Sequence, residues 1–588
     1  MMTSTETKRT NRLRHLGPAL SRYWPQYVGG ILILGTVDVI QTIIPGITAR
    51  VIDELAVFRA GPRELGVAML QIGLLVVAMT IGRYLWRYLL WGSARRVEEQ
   101  MRRNLFAKFM SLSAEFHDRH KTGDLMALVT NDLEAVREAL GDGLLMISDF
   151  IIMTTFTLVA MFRFNRSLTL MTLVPLVLIA LVVTRSGPIV FRLFKRVQDA
   201  FSALSDYVQE AMTGMRVIKV FTREDAAARG LRERAMDIER RNVRLVTVWG
   251  LTFPLIDFLG SIATLILLWA GGLLVTRGQF SIGGLVAFNT YIGMLAWPML
   301  ALGWAINLFQ RGQASLARIN EILDMQPTIL ERPDALTLDD MHGEIEFDHV
   351  TFEREGKRIL DDVSFHVLPG QRVGIIGPIG SGKTTIVSLL TRAYDTTSGR
   401  VLVDAHDVRD YRIKDLRRAI GVVTQDVFLF SDSLEENINV SELPVGAEEV
   451  QEATRLSGVY KNIMEFQDEF STVVGERGVT LSGGEKQRVT IARAILKKPR
   501  ILVLDDALSA VDADTEKHIL DNIASFETTP TTVVISNRIS ALRHMDKVLV
   551  LDSGHVEEEG THSDLLRAKG MYWHIFRKQL VERKVEKE

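Results

Sequence analysis

Cysteine is absent from all 588 residues, so this chain has neither a disulfide framework nor a thiolate metal site. The absence agrees with a reducing compartment. Charge imbalance is missing too: 69 Lys and Arg stand against 71 Asp and Glu, a net charge of −2, and no polyelectrolyte partner is implied. Basic residues cluster only beside apolar runs, which argues against nucleic acid as a partner. The N-terminal stretch is basic (Lys8, Arg9, Arg12, Arg14) and lacks the apolar core and small-residue cleavage site of a secretory signal, so it is expected to be a retained surface helix. No long insert or added regulatory segment is visible.

Apolar sequence is abundant but unevenly spread. Hydrophobic residues make up 47% of the chain and charged residues 24%, with a mean hydropathy of +0.14. The first half holds six runs long enough to cross a bilayer, near 27–50, 64–91, 143–163, 167–185, 250–276 and 281–308. Arg and Lys crowd the N-terminus and the segments 92–142 and 186–245, whereas 51–63 and 277–280 carry few. The positive-inside tendency therefore places the N-terminus, both long connections and the second half in the cytoplasm.

The second half reads as a soluble α/β domain. GPIGSGKT, from Gly377 through Pro378, Ile379, Gly380, Ser381, Gly382 and Lys383 to Thr384, is a phosphate-binding loop. Its glycines let backbone N–H groups approach phosphate, Lys383 supplies charge to the β and γ groups, and Thr384 offers a hydroxyl to Mg²⁺. The flanks fit, because Val373–Ile376 is a buried strand and a helix follows from Thr384 and Thr385. Ile501–Leu504 is a second apolar strand ending in Asp505, where a magnesium-holding carboxylate belongs.

Further along, LSGGEKQR (Leu481, Ser482, Gly483, Gly484, Glu485 and onward) resembles the signature of the ATP-binding cassette (ABC) family. Gln425 in GVVTQD resembles that family's Q-loop, a second magnesium contact, and Ser509–Asp512 its D-loop. TVVGERG at Thr472–Gly478 resembles the segment before the signature in ABC exporters. The segments 115–138 and 209–225 resemble the two intracellular loops of those exporters, with coupling helices implied near Phe116–Lys121 and Gly214–Phe221. The resemblance covers nearly the whole chain. It implies ATP and Mg²⁺ as cofactors and a composite site in which Ser482–Glu485 complete the pocket of an opposite subunit.

Three positions depart from the pattern. The residue after the magnesium carboxylate, a Glu that orients the attacking water in the family, is Asp506; its shorter side chain withdraws the carboxylate by about an ångström, which can cost on the order of a hundredfold in rate. The family's switch histidine is replaced by Asn537, which cannot carry the imidazole's proton. The aromatic that stacks on adenine is replaced by Arg354, which either stacks through its guanidinium plane or is a solvent-facing loop residue. The first two changes resemble the degenerate half of a heterodimeric exporter, whose homologous partner would supply the consensus Glu and His.

The resulting expectation is an α-helical membrane domain of six transmembrane helices plus an α/β P-loop NTPase domain with a helical signature subdomain. The boundaries are 1–325, a linker at 326–342, and 343–588. The function expected is ATP-driven efflux of hydrophobic or amphiphilic cargo from a multi-pass position in a bacterial inner membrane. Peptide export, import on the same fold, and a nucleotide-gated channel or regulator are the alternatives. Asp38, Asp257, Asn289 and Asn307 are candidates for a substrate pathway, because polar groups inside spans are costly; the two carboxylates would favour cationic amphiphiles.

Overall fold

The computed structural model describes residues 14–57, 61–337, 341–440, 445–475, 481–526 and 529–585. Lys8, Arg9 and Arg12 of the basic N-terminus, and Glu476 to Gly478 of the segment preceding the signature, lie outside them. The chain divides into two units. One comprises Met1–Ser111 with His120–Met325, the other Leu112–Arg119 with Gln326–Glu588.

Six long apolar helices build the first unit: α1 (Gly17–Ala56), α2 (Pro62–Ser111), and, beyond the short α3 (Ala114–Arg119), α4 (Thr122–Phe164), α5 (Arg166–Thr213), α7 (Glu224–Thr276) and α8 (Ile282–Asp324). A further short helix, α6 (Met215–Val220), separates α5 from α7. Each of the six is longer than its apolar run, because charged, helix-compatible sequence continues the spiral beyond the span at 1.5 Å per residue. Side chains cap two of the starts, Asn165 accepting from the Leu168 N–H (3.1 Å) and Ser281 from the Gly284 N–H (2.9 Å).

Small residues set how closely these helices approach, as expected where lipid removes the hydrophobic drive between them. A Cβ on Gly283 of α8 would lie 1.9 Å from the Ala49 carbonyl oxygen of α1, and one on Gly82 of α2 would lie 2.5 Å from Val37. Polar clamps join the charged extensions of these helices. Asp132 of α4 is buried and accepts from Ser315 Oγ (2.7 Å) and Arg318 Nε (3.0 Å) of α8. Of the pathway candidates, Asp38 is buried with one carboxylate oxygen unpartnered among the described residues, Asp257 and Asn289 are exposed, and Asn307 is half-buried.

The second unit takes in α3, although the flanks of that helix belong to the first. Its strands are β1 (Ile345–Arg354), β2 (Lys357–Val367), β3 (Arg372–Ile376), β4 (Ser398–Val403), β5 (His406–Asp407), β6 (Ile420–Val423), β7 (Ile501–Asp505), β8 (Thr531–Ile535), β9 (Lys547–Asp552) and β10 (His555–Gly560). They form an antiparallel sheet ordered β2-β1-β4-β5 and a six-stranded sheet ordered β10-β9-β3-β8-β7-β6. The second sheet is parallel from β9 to β6. β7 is buried along its length and β3 from Val373 onward, hence the apolar run Ile501–Leu504 and the stretch Val373–Ile376, broken only by Gly374. Phe347 stacks on Phe365 at 4.5 Å between ring centres in the core that fills the space between the sheets.

Candidate active site

Parallel strands of one sheet deliver their following loops to one edge, the usual ligand position in open α/β sheets. Four loops meet there, after β3, β6, β7 and β8. The loop after β3 requires glycine: Gly382 has φ +99° and a Cβ on it would lie 2.5 Å from Leu360, while one on Gly377 would lie 2.0 Å from the Leu551 carbonyl oxygen. α9 (Lys383–Leu390) starts immediately afterwards, so its free N–H groups face the loop.

A cleft of about 360 Å³ lies over this edge. It is lined by Ile379, Gly380, Gly382, Lys383, Thr384 and Thr385 of the first loop and helix, Gln425 after β6, Asp505 and Asp506 at the end of β7, and Ser536 and Asn537 after β8. Lys383 Nζ donates to the carbonyls of Gly377 (2.9 Å) and Pro378 (2.8 Å). Burial holds its pKa below the ordinary lysine range, opposed by Asp505 and Asp506. Burial likewise raises Asp505, with Thr384 as its hydrogen-bond partner and Asp506 adding like charge. Asp506 is also raised by burial, against Arg538 and Lys383. Its backbone is left-handed at φ +49°, a conformation aspartate tolerates better than most residues.

The residues fit Mg²⁺ and a nucleoside triphosphate. Ser381 Oγ is buried without a partner among the described residues, the glycine loop leaves room only for backbone, and Thr384 with Asp505 forms the hard-oxygen pair that Mg²⁺ takes. Bound Mg²⁺ would neutralise charge on the β and γ phosphates. Asp506 lines the same cleft beside Asp505.

The signature residues stand apart from this cleft. Ser482 and Gly483 are exposed, and Leu481 is buried beneath them. Ser482 opens α10 (Gly483–Leu496) with a reciprocal cap: Glu485 N–H donates to Ser482 Oγ (3.3 Å) and Ser482 N–H to the Glu485 carboxylate (2.8 Å). The Glu485 side chain is thereby turned onto its own helix end, and it also accepts from Asn462 (3.2 Å). A Cβ on Gly484 would lie 2.8 Å from the Ala510 carbonyl oxygen, whereas one on Gly483 would meet only Ala510 Cβ at 3.9 Å, an ordinary contact. Asp512 caps α11 (Ala513–Ala524) by accepting from the Thr515 N–H at 2.9 Å.

Arg354 does not line the cleft. Its guanidinium donates to Asp118 of α3 at 3.0 Å and lies over the Tyr394 ring, 5.3 Å from its centre. Two residues escaped the sequence reading. Gln579, on α12 (Met571–Val585), donates to the Asn537 carbonyl (2.6 Å) and accepts from the Ile539 N–H (3.1 Å), so the C-terminal helix holds the loop that carries Asn537. Arg538 reaches the Val511 carbonyl at 3.3 Å and lowers Asp506 electrostatically. An arginine directly after the switch position was the available signal for the second; Gln579, some forty residues downstream, had none.

A triphosphate site of this kind on the same chain as six membrane-length helices is the equipment of an ATPase-coupled transporter. Residues 28–299 match the ABC transporter transmembrane region and residues 360–509 match the ABC transporter nucleotide-binding family. A probable multidrug resistance ABC transporter ATP-binding/permease protein of Bacillus subtilis is 37% identical over 96% of this chain and 97% of its own length. A multidrug resistance-like ATP-binding protein of Escherichia coli is 33% identical, covering 95% of each. Among solved structures, a bacterial Atm1-family ABC exporter with ATP bound superposes with a TM-score of 0.78 at 27% identity, over 94% of this chain and 99% of that one. The chain belongs to the ABC transporter family, as a half-transporter of the exporter fold.

Proposed function

We propose that this chain is the degenerate-site subunit of a heterodimeric exporter for hydrophobic or amphiphilic cargo, in a bacterial inner membrane. The observation that carries the reading is the presence of Asp506 and Asn537 in the same cleft as Lys383 and Asp505. Phosphate and magnesium ligands are all in place, while the water-orienting and γ-phosphate-sensing positions are both altered. Such a cleft binds nucleotide and turns it over slowly. The exposed helix N-terminus at Ser482 and Gly483 offers N–H groups and a dipole to a second chain, and a homologous partner with Glu and His would supply the competent Walker residues. Efflux of drugs or lipid-like molecules agrees with the names of the multidrug relatives.

The test is the chain purified alone in lipid nanodiscs. It should retain Mg·ATP yet hydrolyse it at a rate on the order of a hundredfold below a consensus site. Asp506→Glu together with Asn537→His should recover much of that loss. Robust, cargo-stimulated turnover by the unaltered chain alone would overturn the reading.

A further inference from the structure

Arg354 ends β1, at the position the family resemblance gives to a base-stacking aromatic, and its side chain turns to α3. Asp118 receives the guanidinium at 3.0 Å and also the Tyr394 hydroxyl, and the guanidinium lies over the same tyrosine ring. Tyr394 is itself braced by the buried Phe352, with ring centres 5.6 Å apart. An isolated surface ion pair would hold little. Here one carboxylate takes two donors and the cation has an aromatic face, so the three groups support one another. Burial first, and the contact with Asp118 second, push the Tyr394 hydroxyl up to about 12, so the tyrosine stays a donor throughout the working pH range.

The cleft meanwhile offers a base very little. Among the described residues that line it, none is aromatic. Beyond the phosphate and magnesium ligands, and Asp506, Ser536 and Asn537 after β7 and β8, its lining is Ile359, Ile379 and Ile535, with Ile379 97% exposed. Aliphatic side chains neither stack as a ring does nor read the hydrogen-bonding edge of a purine, and an apolar surface discriminates weakly between similar ligands.

We propose that Arg354 is a tether for the segment Leu112–Arg119 rather than a base-binding residue, and that this chain's site holds nucleoside triphosphates through phosphate and Mg²⁺ with little regard to the base. The inference rests on the cleft being a nucleotide site. It adds that guanosine and cytidine triphosphates occupy the site about as well as ATP. It also assigns a job to the residue that fills the expected stacking position.

Displacement of trinitrophenyl-ATP from the full-length chain by Mg·ATP, Mg·GTP and Mg·CTP tests the proposal, with hydrogen exchange at Leu112–Arg119 as a second readout. The three displacement constants should agree within about threefold, and Arg354→Ala should leave that agreement intact. Arg354→Tyr, by supplying a ring, should tighten all three by roughly tenfold. Exchange in Leu112–Arg119 should rise in both Arg354→Ala and Asp118→Ala. Preference for ATP over GTP beyond about thirtyfold, lost in Arg354→Ala, would overturn base indifference and return Arg354 to the base. Unchanged exchange in both alanine variants would overturn the tether. Lys383→Ala separates the two levels of the argument: it should weaken all three nucleotides equally, and if it weakens none the cleft is not a nucleotide site at all.

Discussion

Gln487, one turn into the signature helix, accepts the Ala510 backbone N–H at 3.0 Å and donates to Ser509 Oγ at 3.1 Å. Ser509 Oγ in turn donates to the Asp506 carbonyl at 2.8 Å. The signature helix is thus joined, through one buried amide, to the backbone of Asp506 in the cleft that also holds Lys383 and Asp505. In the arrangement proposed above, signature and Walker segments serve different composite sites, and Gln487 would be a physical route between them.

Gln487→Leu keeps the bulk and removes three hydrogen bonds, a long one to the Asp506 carbonyl (3.5 Å) included, leaving the Ala510 N–H without its partner at a cost of about 1–3 kcal/mol. The nucleotide-binding unit should melt a few degrees lower. Mg·ATP retention in this chain's cleft should stay near normal, since Gln487 does not line it. Turnover of the assembled transporter should fall by more than the stability change accounts for. Equal, small losses in melting temperature and turnover would reduce Gln487 to a packing residue.

A Cβ on Gly483 would meet only Ala510 Cβ, at an ordinary 3.9 Å, and the residue begins an exposed helix end. Gly483→Asp therefore folds normally here while placing a carboxylate where a partner-bound γ-phosphate would approach, replacing attraction by repulsion. ATPase of the proposed heterodimer should drop by at least about a hundredfold. Nucleotide binding to this chain's own cleft should change little. Near-normal ATPase and transport in the variant would show that the competent site does not use this signature.

Asp505 supplies a pH prediction. Burial raises its folded pKa above the unfolded value, so its contribution to fold stability is present below the ordinary aspartate range of about 4 and is lost as pH rises through the folded value. Mg²⁺ requires the ionised form, so the affinity for Mg·ATP should move the other way and increase with pH over that same window. Thermal melts with and without Mg·ATP should diverge as pH rises above about 4. Asp505→Asn should abolish the divergence. Parallel melts in the unaltered chain would remove Asp505 from metal binding.

Much of the architecture was readable from local pattern. Runs of about twenty apolar residues have few places to go but a bilayer or a large core, and six of them spaced by basic connections announce a membrane unit. β3 and β7 are strands because β-rich apolar runs bounded by glycine and charge bury both faces. The phosphate loop was equally plain, since its glycines answer backbone demands that act within a few residues, such as the positive φ of Gly380 and Gly382. Asp506 and Asn537 could be singled out from the sequence, as each follows a recognisable strand.

Tertiary structure alone decided which partner each remaining side chain takes. Arg354 was left open between base and solvent, and its destination is Asp118, 236 residues earlier in the chain. Asp38 and Asp257 looked alike as intramembrane carboxylates, yet one is buried between helices and the other exposed on this chain. Gln579 reaches Asn537 only because α12 returns to the sheet edge, forty-two residues on. Hydropathy and turn chemistry are summed over neighbours along the chain and so survive in the sequence. A hydrogen bond or ion pair depends on ångström-scale approach between distant segments, and only folding brings those segments together.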